Sequence, residues 1–183
     1  MSNMALSVRR ECPKLRAMDM DSPKIEIGRA RAEEADSAFT LVEEYFAAIG
    51  VVVREDRQQF VEEYFGEGCG LWLARAEGEL AGCVGLRKLQ CPQKSDTSRT
   101  KCAEIKRMYV RENFRGQGAA QRLLAAVEAF ARTAGYAWIY LDTTEGMKAA
   151  TRLYERSGFA RCERYNQNPQ AAIFMRKNLR TNS

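Results

Sequence analysis

Histidine is absent from all 183 residues. That absence removes Ser-His and Cys-His catalytic pairs, histidine-rich zinc sites and imidazole acid–base chemistry together. Any proton transfer falls to Glu, Asp, Tyr, Lys, Cys or water. The six cysteines, Cys12, Cys69, Cys83, Cys91, Cys102 and Cys162, form no Cys-x-x-Cys pair and follow no regular spacing. They predict buried or incidental thiols in a reducing compartment, with no metal site. No apolar run approaches the ~20 residues of a membrane span, and the first residues lack the compact apolar segment of a signal peptide. The expectation is a soluble, cytoplasmic protein with no membrane partner. A formal charge of +5 is spread along the chain without a basic block interleaved with aromatics. This pattern argues for a solvated surface with a slight pull towards anions, and against nucleic-acid binding.

The length suits one well-buried core. Residues 1–23 mix both charge signs with two prolines and read as a flexible tail ahead of a single domain over 24–180. Within it, Ile25 and Ile27 open a short alternating strand ending near Ala30. Two helices follow, 33–48 stopped by Gly50 and 55–65 closed by Gly66 and Gly68. Residues 70–76 and 80–90 read as a hairpin turning at 77–79, and 91–101 as a polar loop long enough to cover a site. A strand over 102–110 leads to a helix from about 118, then an apolar strand "YAWIYL", a short helix over 146–157, and final strands at 159–165 and 171–177. This order predicts an α/β fold: a mixed, mostly antiparallel central sheet flanked by helices. A homodimer paired through the final strands is compatible with it and not required.

The helix beginning near 118 has an unusual entrance. Ala120, Leu123, Leu124, Val127, Phe130, Ala131 and Ala134 make a continuous apolar stripe. In place of a Ser, Thr, Asp or Asn cap and acidic first turn, the chain supplies Arg115, Gly116, Gln117 and Gly118. Glycines let a ligand approach the free N–H groups, and Arg115 adds a cation, so the entrance reads as an anion site, most simply for phosphate. Glycines that merely make the turn, beside a solvated arginine, are the bland alternative. A P-loop is excluded, because Ala119 and Ala120 stand where Lys and Ser/Thr are needed. A dinucleotide fingerprint fits poorly: Gln121 replaces its third glycine, although Asp142 imitates the ribose-binding acid. A nicotinamide-dependent oxidoreductase using Gly116, Gly118 and Asp142 stays open as a rival.

The run "AEIKRMYVRENFRGQGAAQRLLAAVEAFARTAGYAWIYLDT", followed by "MKAATRLYERSGF", resembles the GNAT superfamily of acyl-CoA-dependent N-acetyltransferases. Arg115, Gly118 and Ala120 match its Arg/Gln-x-x-Gly-x-Gly/Ala pyrophosphate motif. Ala150, Leu153, Tyr154, Glu155, Gly158 and Phe159 match its later Ala-x-x-Leu-Tyr-Glu-x-x-Gly-Phe segment. The resemblance implies acetyl-CoA as co-substrate, held by Met108, Tyr109, Val110, Arg115, Gly116, Gln117, Gly118, Ala119 and Ala120. It implies an N–H near Met108 facing the acetyl carbonyl. It places Glu104 as a candidate base acting through water and Tyr154 as the acid protonating the departing thiolate. Each has a structural alternative: a solvated Glu104 paired with Lys106, and a Tyr154 that only packs. Strict alternation puts Glu104, Lys106, Met108 and Val110 on one strand face and Ile105, Arg107 and Tyr109 on the other. Neither set is cleanly apolar, which is consistent with a bulge. Met147 stands where many relatives carry Asn, so an Asn-type bond to the cofactor arm is not expected. The helices at 33–65 and the loop at 91–101 are expected to build the acceptor site, for a small-molecule amine first and a peptide or protein amine second. A non-catalytic acyl-CoA sensor is the remaining rival.

Overall fold

A computed structural model of the chain describes residues 24–50, 55–92 and 100–180. The tail expected over 1–23 and most of the loop expected over 91–101 lie outside the described residues. Seven strands form one sheet: β1 (Ile25–Arg29), β2 (Gly70–Ala76), β3 (Glu79–Leu89), β4 (Cys102–Val110), β5 (Trp138–Thr143), β6 (Ala160–Arg161) and β7 (Ile173–Asn178). Their order across the sheet is β1-β2-β3-β4-β5-β7-β6. Only β4 and β5 run parallel. The helices are α1 (Ala35–Ile49), α2 (Arg57–Tyr64), α3 (Ala119–Thr133) and α4 (Lys148–Arg156).

Two apolar layers follow from the alternation of the strands. On one face, Leu41, Val42 and Phe46 of α1 and Phe60 and Tyr64 of α2 pack on Leu71, Leu73 and Cys83. On the other, Leu123, Leu124, Val127 and Ala131 of α3, with Tyr154 of α4, pack on Trp72, Val84, Ile105, Ile139 and Leu141. The stripe explains how α3 tolerates an uncapped start. A missing cap costs about 1 kcal/mol, whereas each fully buried Leu or Val contributes about 1.5–3 kcal/mol. The helix stops where Gly135 takes a left-handed φ of 78° and the Tyr136 N–H returns to the Ala131 carbonyl at 2.9 Å. Tyr136 is thereby used in the helix stop, so β5 begins two residues later than "YAWIYL" suggests.

Two expectations are corrected. The strand expected over 159–165 is only Ala160–Arg161. Beyond it the chain leaves the ladder, because Tyr165, Asn166 and Asn168 bond instead to carboxylates on the sheet and Pro169 has no N–H to donate. The cysteines are not all free thiols: Cys91 and Cys102 are joined in a disulfide. Sequence spacing concealed this pair because their closeness arises from β3–β4 pairing, which sets Leu89 opposite Cys102. Cys69, Cys83 and Cys162 are free among the described residues. Also among these residues, no helix is long and apolar enough to cross a membrane.

Candidate active site

Two irregularities in β4 open the sheet at its centre. Its parallel pairing with β5 covers only Cys102–Ile105 against Trp138–Leu141, while β5 continues to Thr143 against β7. Past Ile105, β4 therefore presents an unpaired edge on its β5 side. On its β3 side, Gly85 pairs with Lys106 and Cys83 with Tyr109, three steps on β4 against two on β3. The extra residue makes a bulge, in which Arg107 adopts a left-handed φ of 57°. Beside it β3 approaches very closely: a Cβ at Gly82 would lie 2.4 Å from the Tyr109 carbonyl oxygen, so only glycine fits.

The bulge overturns the strict alternation expected for this strand. Met108 and Val110 pack with Ile105 on the α3 face, while Tyr109 packs on the α1 face, its ring 6.3 Å from that of Tyr45. Inserting one residue resets the two-residue phase. Of the residues expected along the cofactor arm, Met108 and Val110 are brought to one side of the strand, and the Tyr109 side chain points to the other.

The splay leaves a cavity of about 690 Å³. Met108, Met147, Ala150 and Tyr154 give its lining an apolar part, Lys106, Asp142 and residues 166–171 a polar one, and Tyr45 and Ile49 of α1 line it as well. Tyr154 is 5% exposed, with its ring 5.8 Å from Phe159. Burial, reinforced by neighbouring Tyr45 and Asp142, pushes its hydroxyl pKa well above the usual phenol range. At neutral pH it holds its proton.

Glu104 is 1% exposed and does not line this cavity. It receives bonds from the Tyr165 hydroxyl at 2.8 Å, Asn166 Nδ2 at 3.1 Å and Arg87 Nε at 2.8 Å, and Lys106 Nζ lies 3.0 Å away. The pairing with Lys106 is therefore real, but the carboxylate is enclosed rather than solvated. Asp142 is held similarly, by Lys106 at 2.8 and 2.9 Å, Asn166 at 2.7 Å and Asn168 at 3.2 Å. Burial opposes its charge, but Lys106 and the two amides outweigh that and hold its carboxyl below the ordinary value. With its oxygens so occupied, Asp142 is poorly placed to bind a ribose.

The phosphate-type loop lies beyond the cavity, where β4 feeds α3. Gly116 and Gly118 have φ of 78° and 80°, Gly118 is the uncapped residue before Ala119, and a Cβ at either glycine would meet nothing within 4 Å. Open space thus faces the free N–H groups, which fits the approach of an anion. Arg115 is exposed, and its Nε donates to the Val110 carbonyl at 3.0 Å, aligning the loop with the end of β4. Gln117 Nε2 donates to the Asn113 carbonyl at 3.2 Å. Ala119 is buried at the helix start and Ala120 is half-buried.

Residues 166–171 form a wall that the sequence reading left unassigned up to 170 and gave to a strand from 171. The signal available was the polar, proline-containing "NQNPQ" run, which favours a turn over a strand.

One splayed parallel pair, a bulged fourth strand and an open glycine entrance to α3 set this mixed sheet apart from a regular one. The Acetyltransferase (GNAT) family model matches residues 33–159, and the chain belongs to that family. A Schizosaccharomyces pombe protein named as an uncharacterized N-acetyltransferase is 30% identical over 151 residues, 79% of this chain and 88% of that one. Human N-acetyltransferase 8B is 33% identical over 113 residues, 61% of this chain. The match spans about half of that human relative, 48% of its length. The crystal structure of a GNAT-family acetyltransferase from Staphylococcus aureus Mu50 superposes with a TM-score of 0.71 at 18% identity, covering 86% of this chain and all of that one.

Proposed function

We propose that the chain transfers an acetyl group from acetyl-CoA directly to a primary amine, without a covalent enzyme intermediate, and that small-molecule amines are its first acceptor class. The observation that carries this reading is the cavity between splayed β4 and β5, which sets Met108 and Tyr154 on one wall and a polar acceptor side opposite. Acetyl-CoA supplies the activated thioester and an anionic handle. In this reading Arg115, Gly116, Gln117, Gly118, Ala119 and Ala120 hold the pyrophosphate through backbone N–H groups and the guanidinium. The free edge of Met108, Tyr109 and Val110 holds the arm, with the Met108 N–H directed at the acetyl carbonyl. Tyr154 keeps its proton at neutral pH and delivers it to the leaving sulfur. Glu104 takes the amine proton at a distance, through water, while Lys106 and Asn166, which both bond to it and line the cavity, hold its carboxylate in place.

The small-molecule preference is supported at the cavity rim. Gln170 Nε2 bonds to the Gly50 carbonyl at 3.4 Å, bridging the 162–172 segment to the end of α1, and Gln170 and Ile49 both line the cavity. In this reading the bridge closes off part of the cavity's surroundings to a long acceptor and so favours a small one.

The test is calorimetric titration with acetyl-CoA, with NADH and ATP as controls. Acetyl-CoA should bind, and the Arg115→Ala, Gly118→Asp double variant should abolish that binding. Free-thiol release should then appear with small amines before short peptides; the reverse order would reassign the acceptor to peptide amines. Acetyl-CoA binding without turnover for any amine would favour the sensor, and NADH binding in place of acetyl-CoA would overturn the reading.

A further inference from the structure

We propose that Arg107 is a positioning residue for acetyl transfer: clamped by the acceptor-side helices, it holds the β4 bulge in the conformation that turns Met108 to the cavity. The inference rests on the acetyl-donor placement proposed above. Its starting point is the φ of 57° at Arg107. Glycine, asparagine and aspartate tolerate the left-handed region, whereas a long side chain remains there only when its surroundings over-determine it.

Those surroundings come from three separate elements. The guanidinium stands 4.8 Å over the Phe46 ring of α1. Its Nε donates at 2.8 Å to Glu55 Oε1, just before α2, and that carboxylate is only 8% exposed. The Arg107 carbonyl accepts a bond from Cys83 Sγ of β3 at 3.4 Å. Side chain and backbone are therefore both pinned, and from elements far away in sequence.

What the clamp controls is phase. With Arg107 left-handed, Met108 shares a face with Ile105 and packs in the same apolar cluster as Tyr154, on the cavity. Were residue 107 extended, simple alternation would turn Met108 away from Tyr154, to the face of Lys106. Arg107 also lines the cavity, but Glu55 already compensates its charge, so it is not a spare cation awaiting an anionic ligand. Because α1 also carries Tyr45 and Ile49, one side chain ties the acceptor wall to the strand that receives the acetyl end.

Arg107→Gly removes the clamp while meeting the backbone requirement, since glycine adopts this φ without steric strain. In the free protein, hydrogen–deuterium exchange should quicken in peptides covering residues 105–111 and stay at wild-type rates in β5 and α3. In turnover, kcat should fall about tenfold through lost alignment, with the KM for acetyl-CoA changed less than about twofold. Arg107→Lys should not restore kcat, because an ammonium reproduces neither the planar stack nor the Nε donor. Glu55→Gln should move exchange and kcat in the same direction by a smaller factor, and serves as the test if Arg107→Gly does not fold. Wild-type exchange and wild-type kcat in Arg107→Gly would overturn the proposal. So would a raised KM at unchanged kcat, which would make Arg107 a ligand contact. If the wild-type protein bound no acetyl-CoA, the donor reading would fall and take the catalytic part of this proposal with it, while exchange in the free protein would still decide the clamp.

Discussion

Glu104 shows how far a residue's neighbours can redefine it. In sequence it is a strand carboxylate beside a lysine. In the structure four donors, from Arg87, Lys106, Tyr165 and Asn166, converge on it. A glutamine at 104 must turn an N–H group towards one of these donors. We expect Glu104→Gln to cost about 1–3 kcal/mol of stability, read by chemical denaturation, and to lower kcat. A variant as stable as wild type would mean that the cluster does not depend on the charge. For Tyr154, the enclosed hydroxyl leads to a different expectation. Tyr154→Phe should lower kcat by about 10²–10⁴-fold while leaving the KM for acetyl-CoA within about twofold; an unchanged kcat would reduce the residue to packing.

Asp142 carries a pH-dependent share of stability. Its folded pKa lies below the unfolded value, because Lys106 and the amides of Asn166 and Asn168 outweigh the burial that would raise it. Such a group stabilises the fold above the ordinary aspartate range, near about pH 4, and that contribution is lost as pH falls through the folded pKa. Denaturation curves between about pH 2 and pH 5 should therefore decline more steeply for wild type than for Asp142→Asn. Parallel curves would show that the network does not depend on this charge.

At the scale of elements, the helix bodies and paired strands were legible because their periodicities are local. The apolar spacing over 118–134 contained α3, and the alternation over 70–76 and 80–90 contained the hairpin. Truncating one of the stripe's central residues, Leu123→Ala, should cost about 2–5 kcal/mol, more than the about 1 kcal/mol that a missing cap costs. Thermal unfolding of this variant would measure it, and a loss below about 1 kcal/mol would contradict the view that packing, not the cap, sustains α3. The β4 bulge was legible only as a mixed pattern. Its position at Arg107 depends on Phe46, Glu55 and Cys83, none of which is near in sequence. The 162–172 segment was read partly as strand because its tyrosine and apolar residues favour one, whereas its actual partners are the buried carboxylates of β4 and β5.

Across the whole molecule, the disulfide ties the ends of the loop between β3 and β4. For a closed loop of this size the cross-link should contribute about 2–3 kcal/mol. Reducing it, or making Cys91→Ser, should lower the unfolding midpoint accordingly, and an unchanged midpoint would show that the strand pairing alone holds these ends together.

The sequence by itself determined the order of elements, the mixed sheet, the uncapped glycine entrance to α3 and the family to which the chain belongs. Each of these is written in spacings of a few residues or in contiguous motifs. Only the tertiary structure decided which face Met108 presents, that Glu104 is enclosed, that residues 166–171 wall the cavity and that Cys91 meets Cys102. Those features join residues up to 120 positions apart, and such contacts exist only after the sheet has brought its elements together.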